Sequence, residues 1–127
     1  MSDLARARRF ALSLPEATEE PHFDMTSFRV RGKIFATVPP DGEYLHVFVD
    51  ELKVGASAAK NPAAFEPLRW GQRVRGLRVR LAPAPDVRVM ELLEESWRRK
   101  APKRLVAGYD LSRSGSFRGR GRGPGRG

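Results

Sequence analysis

The spacing of apolar residues changes along this chain from a helical period to an alternating one and back. Near the N-terminus, apolar residues recur every three or four positions, at Leu4, Ala7, Ala11 and Leu14. This spacing predicts a helix that Ser2 caps and Pro15 ends. Residues 16–25 follow as a polar, acidic segment, which predicts a loop.

Beyond residue 25 the pattern alternates with a period of two, which is typical of strands with one buried face. Three such runs are separated by turn sequences at Gly32-Lys33 and at 39–42. The sequence therefore predicts three consecutive antiparallel strands. Their apolar positions are Phe28 and Val30, then Ile34, Ala36 and Val38, then Leu45, Val47 and Val49.

In the second half of the chain, two helical segments flank two further strands, which are predicted near 68–70 and 77–81. Asp50 is predicted to cap the first of these helices and Asp86 the second. A last helical turn is predicted after Pro102. The expected buried positions are Leu52, Ala56 and Ala59 in the first helix, Val89, Met90, Leu93 and Trp97 in the second, and Leu105, Val106 and Tyr109 in the last turn.

The resulting order is helix, three strands, helix, two strands, helix. Helices that cover one face of an antiparallel sheet make a two-layer α+β domain, here with about five strands. The order of elements therefore predicts this fold class.

Charge divides the chain into two parts. The formal net charge is +9, and residues 111–127 carry five arginines, six glycines and no acidic residue. A segment so rich in glycine and so poor in apolar residues does not bury a core. We therefore predict an α+β domain over residues 1–110 and a disordered Arg/Gly-rich tail over residues 111–127.

Several segments of the predicted domain are similar to those of a known family. They are the run Phe-Arg-Val-Arg-Gly-Lys-Ile-Phe-Ala at 28–36, the triplet at 79–81, and the segments 92–97 and 101–105. On these segments the chain resembles the MmcQ/YjbR-like family over residues 4–110. The resemblance implies a small two-layer α+β fold, similar to the secretion-chaperone-like and frataxin-like arrangements. It also implies DNA binding, the function commonly assigned to members, and it supplies no catalytic residues.

Arginines alternate with apolar residues in two of the predicted strands. Strand side chains alternate between faces, so these arginines would project away from the core, toward the face without helices. The pattern predicts a cationic surface for nucleic-acid phosphates, made by Arg29, Arg31, Arg78 and Arg80, with Lys33, Arg73 and Arg75 at its edge. Charge that only keeps an exposed sheet face soluble is the alternative interpretation.

The tail has the composition of a segment that binds polyanions. Arginines spaced by glycine suit sequence-independent contacts with single strands, through charge and stacking. The predicted contact residues are Arg118, Arg120, Arg122 and Arg126. A disordered extension that only adds solubility is the alternative.

Three other groups of residues are also candidates for contact with nucleic acid. Arg98-Arg99-Lys100 and Lys103-Arg104 form a second basic cluster at the end of a predicted helix, where cations also complement the helix dipole. Trp97 is predicted to lie in the core, whereas Trp70 lies among arginines and glycine and is the more exposed tryptophan. Three aromatic residues would share the face of the sheet arginines, namely Tyr44, His46 and Phe48.

The sequence contains no cysteine and two histidines. The lack of cysteine excludes disulfides, thiol catalysis and thiolate metal sites, and it favours the cytoplasm. The chain shows no nucleophile motif and no phosphate-loop motif, so we expect neither catalysis nor a cofactor. Acidic residues near His22 are the candidates for a metal site, although their spacing fits no ligand motif: Glu16, Glu19, Glu20 and Asp24.

These features predict a cytoplasmic, non-catalytic protein that binds nucleic acid largely without sequence specificity. DNA is the expected partner of the domain, and single strands are the expected partner of the tail. Two alternatives stay open. One is a protein-binding or chaperone-like module that would use an apolar groove or a sheet edge, as a homodimer. The other is a small-molecule or metal-binding domain near His22.

Overall fold

The computed structural model describes residues 2–118. Within this range the chain forms four helices and six strands, and none of these helices combines the length and apolar character of a membrane span. In chain order they are α1 (Leu4–Ser13), β1 (Ala17–His22), β2 (Met25–Val30), β3 (Lys33–Val38), β4 (Tyr44–Val47), α2 (Glu51–Lys60), β5 (Phe65–Trp70), β6 (Arg73–Arg80), α3 (Asp86–Lys100) and α4 (Lys103–Arg118).

The strands form one antiparallel sheet in the order β1-β2-β3-β4-β6-β5. The predicted α+β class is confirmed, with one strand more than expected. The additional strand is β1, which occupies the segment that the sequence predicted to be a loop. No residue of β1 is buried, since it lies at the sheet edge, and it therefore lacks the apolar alternation by which a strand is recognised.

One face of the sheet carries the hydrophobic core. Apolar residues of five strands line this face, and α1, α2 and α3 pack against it through Ala11, Val54 and Leu93. Trp97 lies among them with no exposed surface, as predicted. Its Nε1 donates a hydrogen bond to the Pro15 carbonyl oxygen at 3.1 Å, which joins α3 to the chain just after α1. The strand residues are Phe28, Val30, Phe35, Ala36, Val38, Leu45, Val47, Phe65, Leu77 and Val79.

A buried hydroxyl joins α3 to the sheet. Ser96 Oγ donates a hydrogen bond to the Phe35 carbonyl oxygen at 2.5 Å and accepts one from the Phe48 amide nitrogen at 2.9 Å. Buried backbone groups need such partners. Ser96 therefore fixes the C-terminal half of α3 beside the end of β4.

A β-bulge changes the predicted alternation of β3. Phe28 pairs with Ala36 and Arg29 pairs with Ile34, so Phe35 is an extra residue in the ladder. Phe35 is consequently buried in the core, 6.5 Å from Phe28 between ring centroids. Ile34, which the alternation predicted to be a core residue, is only half-buried.

The predicted helix caps are correct at α2 and wrong at α1 and α3. Asp50 caps α2 as expected. The cap of α1 is Asp3, whose carboxylate accepts a first-turn N–H, whereas Ser2 Oγ donates a hydrogen bond to Asp86 at 2.8 Å. Asp86 is therefore held by Ser2 as the first residue of α3, and Pro85 occupies the cap position.

The buried faces of α2 and α3 also differ from the predicted ones. In α2, Val54 and Ser57 are buried and Leu52 is 87% exposed. In α3, Leu92 is buried where Met90 was expected, and Met90 is 36% exposed. Small residues make up half of α2, so its sequence offers little basis for choosing one face.

α4 extends over 16 residues, where the sequence predicted one turn and then the tail. The predicted boundary at residue 110 therefore lies inside a helix. Contacts with α3 hold α4: the Tyr109 ring centroid is 5.0 Å from that of Trp97, and Tyr109 Oη donates a hydrogen bond to Glu94 at 2.5 Å. Arg118 is the last residue of α4. The remaining tail residues, with Arg120, Arg122 and Arg126, lie outside the described residues.

Candidate nucleic-acid interface

The sheet face opposite the core, here called the open face, carries a row of polar side chains that crosses all six strands. The register aligns one residue from each strand, and the row begins and ends with a carboxylate. From β1 to β5 its members are Glu20, Ser27, Thr37, His46, Arg78 and Glu66.

Two of the predicted phosphate-binding arginines lie in or beside this row and have acidic partners. Arg29 Nε donates a hydrogen bond to Ser27 Oγ at 3.0 Å and lies 3.9 Å from a Glu20 carboxylate oxygen. Arg78 Nε lies 3.3 Å from Glu66 Oε2, and its guanidinium carbon lies 3.9 Å from the Tyr44 ring centroid. Because carboxylates accompany these two arginines, the middle of the open face offers phosphates little net positive charge.

Arg31 does not lie on the open face, although the alternation placed it there. Arg31 and Gly32 have φ values of 52° and 80° and form the two-residue turn between β2 and β3. The Arg31 guanidinium makes two hydrogen bonds to the Glu16 carboxylate. These hydrogen bonds lower the pKa of Glu16 below its ordinary value. Lys33 begins β3 beside this turn and is exposed.

Arg80 lies opposite Tyr44 at the other end of β6. It is exposed, and no carboxylate of the described residues lies within 4.0 Å of it. Arg80 is thus the one member of the predicted four that keeps an unneutralised charge on the open face.

His46 occupies the centre of the polar row and is largely buried. Its Nδ1 lies 3.4 Å from Thr37 Oγ1, and its Nε2 is buried without a hydrogen-bond partner among the described residues. Burial first, and the nearby charge of Arg78 second, lower the pKa of His46 below 6.5. His46 is therefore neutral at pH 7.

This lowered pKa predicts a pH dependence of stability. In the unfolded chain His46 binds a proton near pH 6.5, whereas in the folded protein it does so only at lower pH. Protonation therefore favours the unfolded chain, and the folded protein loses stability as the pH falls below about 6.5. We expect the urea midpoint to decrease more between about pH 7.5 and about pH 5.5 in the natural protein than in His46→Gln, which does not titrate. Equal decreases in the two proteins would show that His46 does not contribute.

The strongest unneutralised charge lies on the β5–β6 hairpin. Arg69, Arg73 and Arg75, here called the hairpin arginines, are all exposed. No carboxylate of residues 2–118 lies within 4.0 Å of any of them. The hairpin turns tightly at Gly71, whose φ of 62° favours glycine.

The C-terminus of α3 lies at the same end of the sheet as this hairpin, and Phe48 connects the two. Arg99 Nη1 donates a hydrogen bond to the Phe48 carbonyl oxygen at 3.0 Å, and Lys100 Nζ lies 5.7 Å from the Phe48 ring centroid. Phe48 also approaches Gly76, the residue after Arg75. Arg99 and Lys100 also have no carboxylate within 4.0 Å in the described part of the chain.

We call these five cations the basic end: Arg69, Arg73, Arg75, Arg99 and Lys100. The sequence separated them into two clusters, of which only Arg73 and Arg75 were predicted to contact phosphate. Their proximity depends on the order of the strands and on the path of the chain after β4, neither of which local periodicity reveals. Arg69 was missed because it lies in a strand whose alternation is weak.

Three of the four acidic residues near His22 have partners elsewhere. Glu16 pairs with Arg31, Glu19 with Arg8 at 2.6 Å, and Glu20 with Thr18 at 3.0 Å. Among the described residues, no three histidine, cysteine, aspartate or glutamate side chains come close enough to hold a metal ion together. The alternative of a metal site at His22 therefore gains no support.

The fold and this surface define a small α+β domain with one strongly cationic end. Residues 12–99, which are 88 of the 127 residues, match the family model YjbR, and the chain belongs to the YjbR family. The predicted resemblance is thus confirmed. The matched region ends before α4.

A solved structure shows the same fold. It is the crystal structure of the Deinococcus radiodurans protein DR2400, described as a DUF419 domain. The TM-score is 0.67 and the sequences are 21% identical, over 76% of this chain and 77% of that one. A comparison with curated proteins found no match.

Proposed function

We propose that this protein is a non-catalytic, cytoplasmic nucleic-acid-binding module of low sequence specificity, which holds the phosphate backbone at the basic end and along its C-terminal tail. The observation that carries the proposal is that five cations, on a hairpin strand and a helix end that both approach Phe48, have no carboxylate within 4.0 Å among the described residues. Lys and Arg without acidic partners are the groups that neutralise nucleic-acid phosphates.

Other cations extend this surface. Lys103 and Arg104 begin α4 directly after the basic end, and both are exposed. α4 then leads to the Arg/Gly segment, so one polyanion can contact the domain and the tail in turn. DNA binding, the function commonly assigned to the family, favours DNA as the partner of the domain. The Arg/Gly composition of the tail favours single strands as the partner of the tail.

The proposed phosphate contacts include fewer of the sheet arginines than the sequence predicted. Arg29, Arg31 and Arg78 have acidic partners, so of the predicted set we assign phosphate contact at the basic end to Arg73 and Arg75, together with Arg69, Arg99 and Lys100. Arg80 is exposed but lies at the other end of β6. Carboxylates at both ends of the polar row repel phosphates from the rest of the open face.

In one form of the chaperone-like alternative, a partner protein adds a strand to an edge of the sheet. The two edge strands of this sheet disfavour such pairing. Both edge strands contain a proline, Pro21 in β1 and Pro67 in β5, and each proline removes one N–H donor from its strand. Each strand also carries two exposed charged residues, Glu19 and Glu20 in β1 and Glu66 and Arg69 in β5, which disfavours pairing with another chain. Nucleic acid is therefore the partner that the surface suits best.

Fluorescence anisotropy with labelled single-stranded and duplex DNA and RNA tests the proposal, on the full chain and on residues 1–118, at two salt concentrations. The truncation ends at 118 because α4 continues to that residue. We expect 1–118 to bind with an affinity that falls as salt rises, with a log–log slope of about −3 to −4 on single strands if five cations contact phosphate. Lack of binding by 1–118 at low salt would remove the domain from the proposal and favour a protein partner.

A further inference from the structure

Trp70 lies at the tip of the β5–β6 hairpin and belongs to no core. It is 72% exposed, whereas Trp97, the other tryptophan, is fully buried. A tryptophan this exposed adds little to core packing, and tryptophan is enriched at binding interfaces.

The hairpin holds Trp70 in place. The turn at Gly71 and Gln72 connects Trp70 to Arg73, its partner in the ladder. A register shift follows, in which Leu68 pairs with Gly76 and Arg69 with Val74, so that Arg75 is the extra residue of a bulge. The Arg75 guanidinium carbon lies 5.0 Å from the indole centroid, within the range of a cation–π contact.

The surroundings of Trp70 are cationic. Arg69 precedes it in the chain, Arg73 is its partner in the ladder, and the hairpin arginines have no carboxylate within 4.0 Å in residues 2–118. An indole beside arginines matches the two chemical parts of a nucleotide, a flat base and a phosphate. In a duplex, both faces of each base are covered by neighbouring bases, so only an unpaired base can stack on the indole.

We propose that Trp70 is a stacking platform for unpaired bases, with Arg75 supporting the indole and Arg69 and Arg73 holding the adjacent phosphates. This inference rests on the proposed nucleic-acid binding and specifies its ligand at the hairpin as a single strand. Because every base has a flat face, the platform accepts any sequence.

The test compares the full chain with Trp70→Ala and Trp70→Phe, using labelled single-stranded and duplex DNA of equal length. We expect Trp70→Ala to weaken single-strand binding roughly five- to 150-fold, to leave duplex binding within about twofold, and Trp70→Phe to restore most of the loss. Leu52→Ala removes a similarly exposed apolar side chain, on α2, and serves as the control for loss of surface area.

Tryptophan fluorescence gives a second measurement of the same contact. Single strands should quench the emission of the full chain but not that of Trp70→Phe, in which only the buried Trp97 emits. If the full chain binds single strands and Trp70→Ala binds them equally well, the platform is wrong while the proposed function stands. If the full chain binds neither single strands nor duplex at low salt, the proposed function itself is wrong.

Discussion

Reversal of the three hairpin arginines in Arg69→Glu/Arg73→Glu/Arg75→Glu is expected to weaken single-strand binding at low salt at least about tenfold. Three phosphate contacts are lost, so the log–log salt slope should decrease by about 2, at about 0.7 per contact. The three new carboxylates also repel the backbone. Anisotropy titrations over a range of salt measure both quantities.

A matched control separates the position of these charges from their number. Arg8→Glu/Arg9→Glu/Lys60→Glu also changes three exposed cations, and each triple variant lowers the formal net charge by six, from +9 to +3. The control should keep most of the salt slope, because its residues lie on α1 and α2, outside the surface proposed to contact phosphate. Equal losses in the two variants would mean that net charge alone drives binding, and would contradict an interface at the basic end.

Gly76→Ala is expected to cost about 3 kcal/mol of unfolding free energy, the upper part of the usual range for an overpacked site. A Cβ at this position would lie 2.3 Å from the Val47 carbonyl oxygen and 3.2 Å from Phe48 Cδ1. The closer of these atoms belongs to the backbone, which cannot rotate away as a flexible side chain can. Urea unfolding at neutral pH measures the loss.

Gly55→Ala provides the contrasting result. Gly55 lies within α2, and a Cβ there would meet no atom within 4 Å. Alanine should therefore stabilise the helix by about 1 kcal/mol. If Gly76→Ala were also neutral or stabilising, β4 and β6 would have room to separate, and the proximity of Phe48 to the hairpin would be incidental.

The parts of the fold that the sequence predicted are those with one buried face. The clearest case is β6, where Leu77 and Val79 alternate with Arg78 and Arg80 and the face assignment is correct. The prediction failed where burial was missing or the ladder was irregular. β1 is not buried on either face, and the bulge at Phe35 shifts the alternation by one residue.

The candidate site was less predictable than the fold. Alternation correctly placed Arg29, Arg78 and Arg80 on the face away from the core, but it could not show which of them meet a carboxylate. Glu20 and Glu66 come from strands on either side, and their positions depend on strand order and register. The basic end could not be predicted either, because its hairpin and helix-end cations are distant in sequence. Only the structure shows that the hairpin strand and the helix end both approach Phe48.

The prolines of the two edge strands affect how readily copies of this protein aggregate through their sheet edges. A protein that binds a polyanion without sequence preference accumulates along it, which raises the local concentration of exposed sheet edges. Such crowding favours edge-to-edge pairing and aggregation. Pro21 and Pro67 interrupt both edges. Under the proposed function, this interruption would keep the sheets separate when copies gather on one strand of nucleic acid.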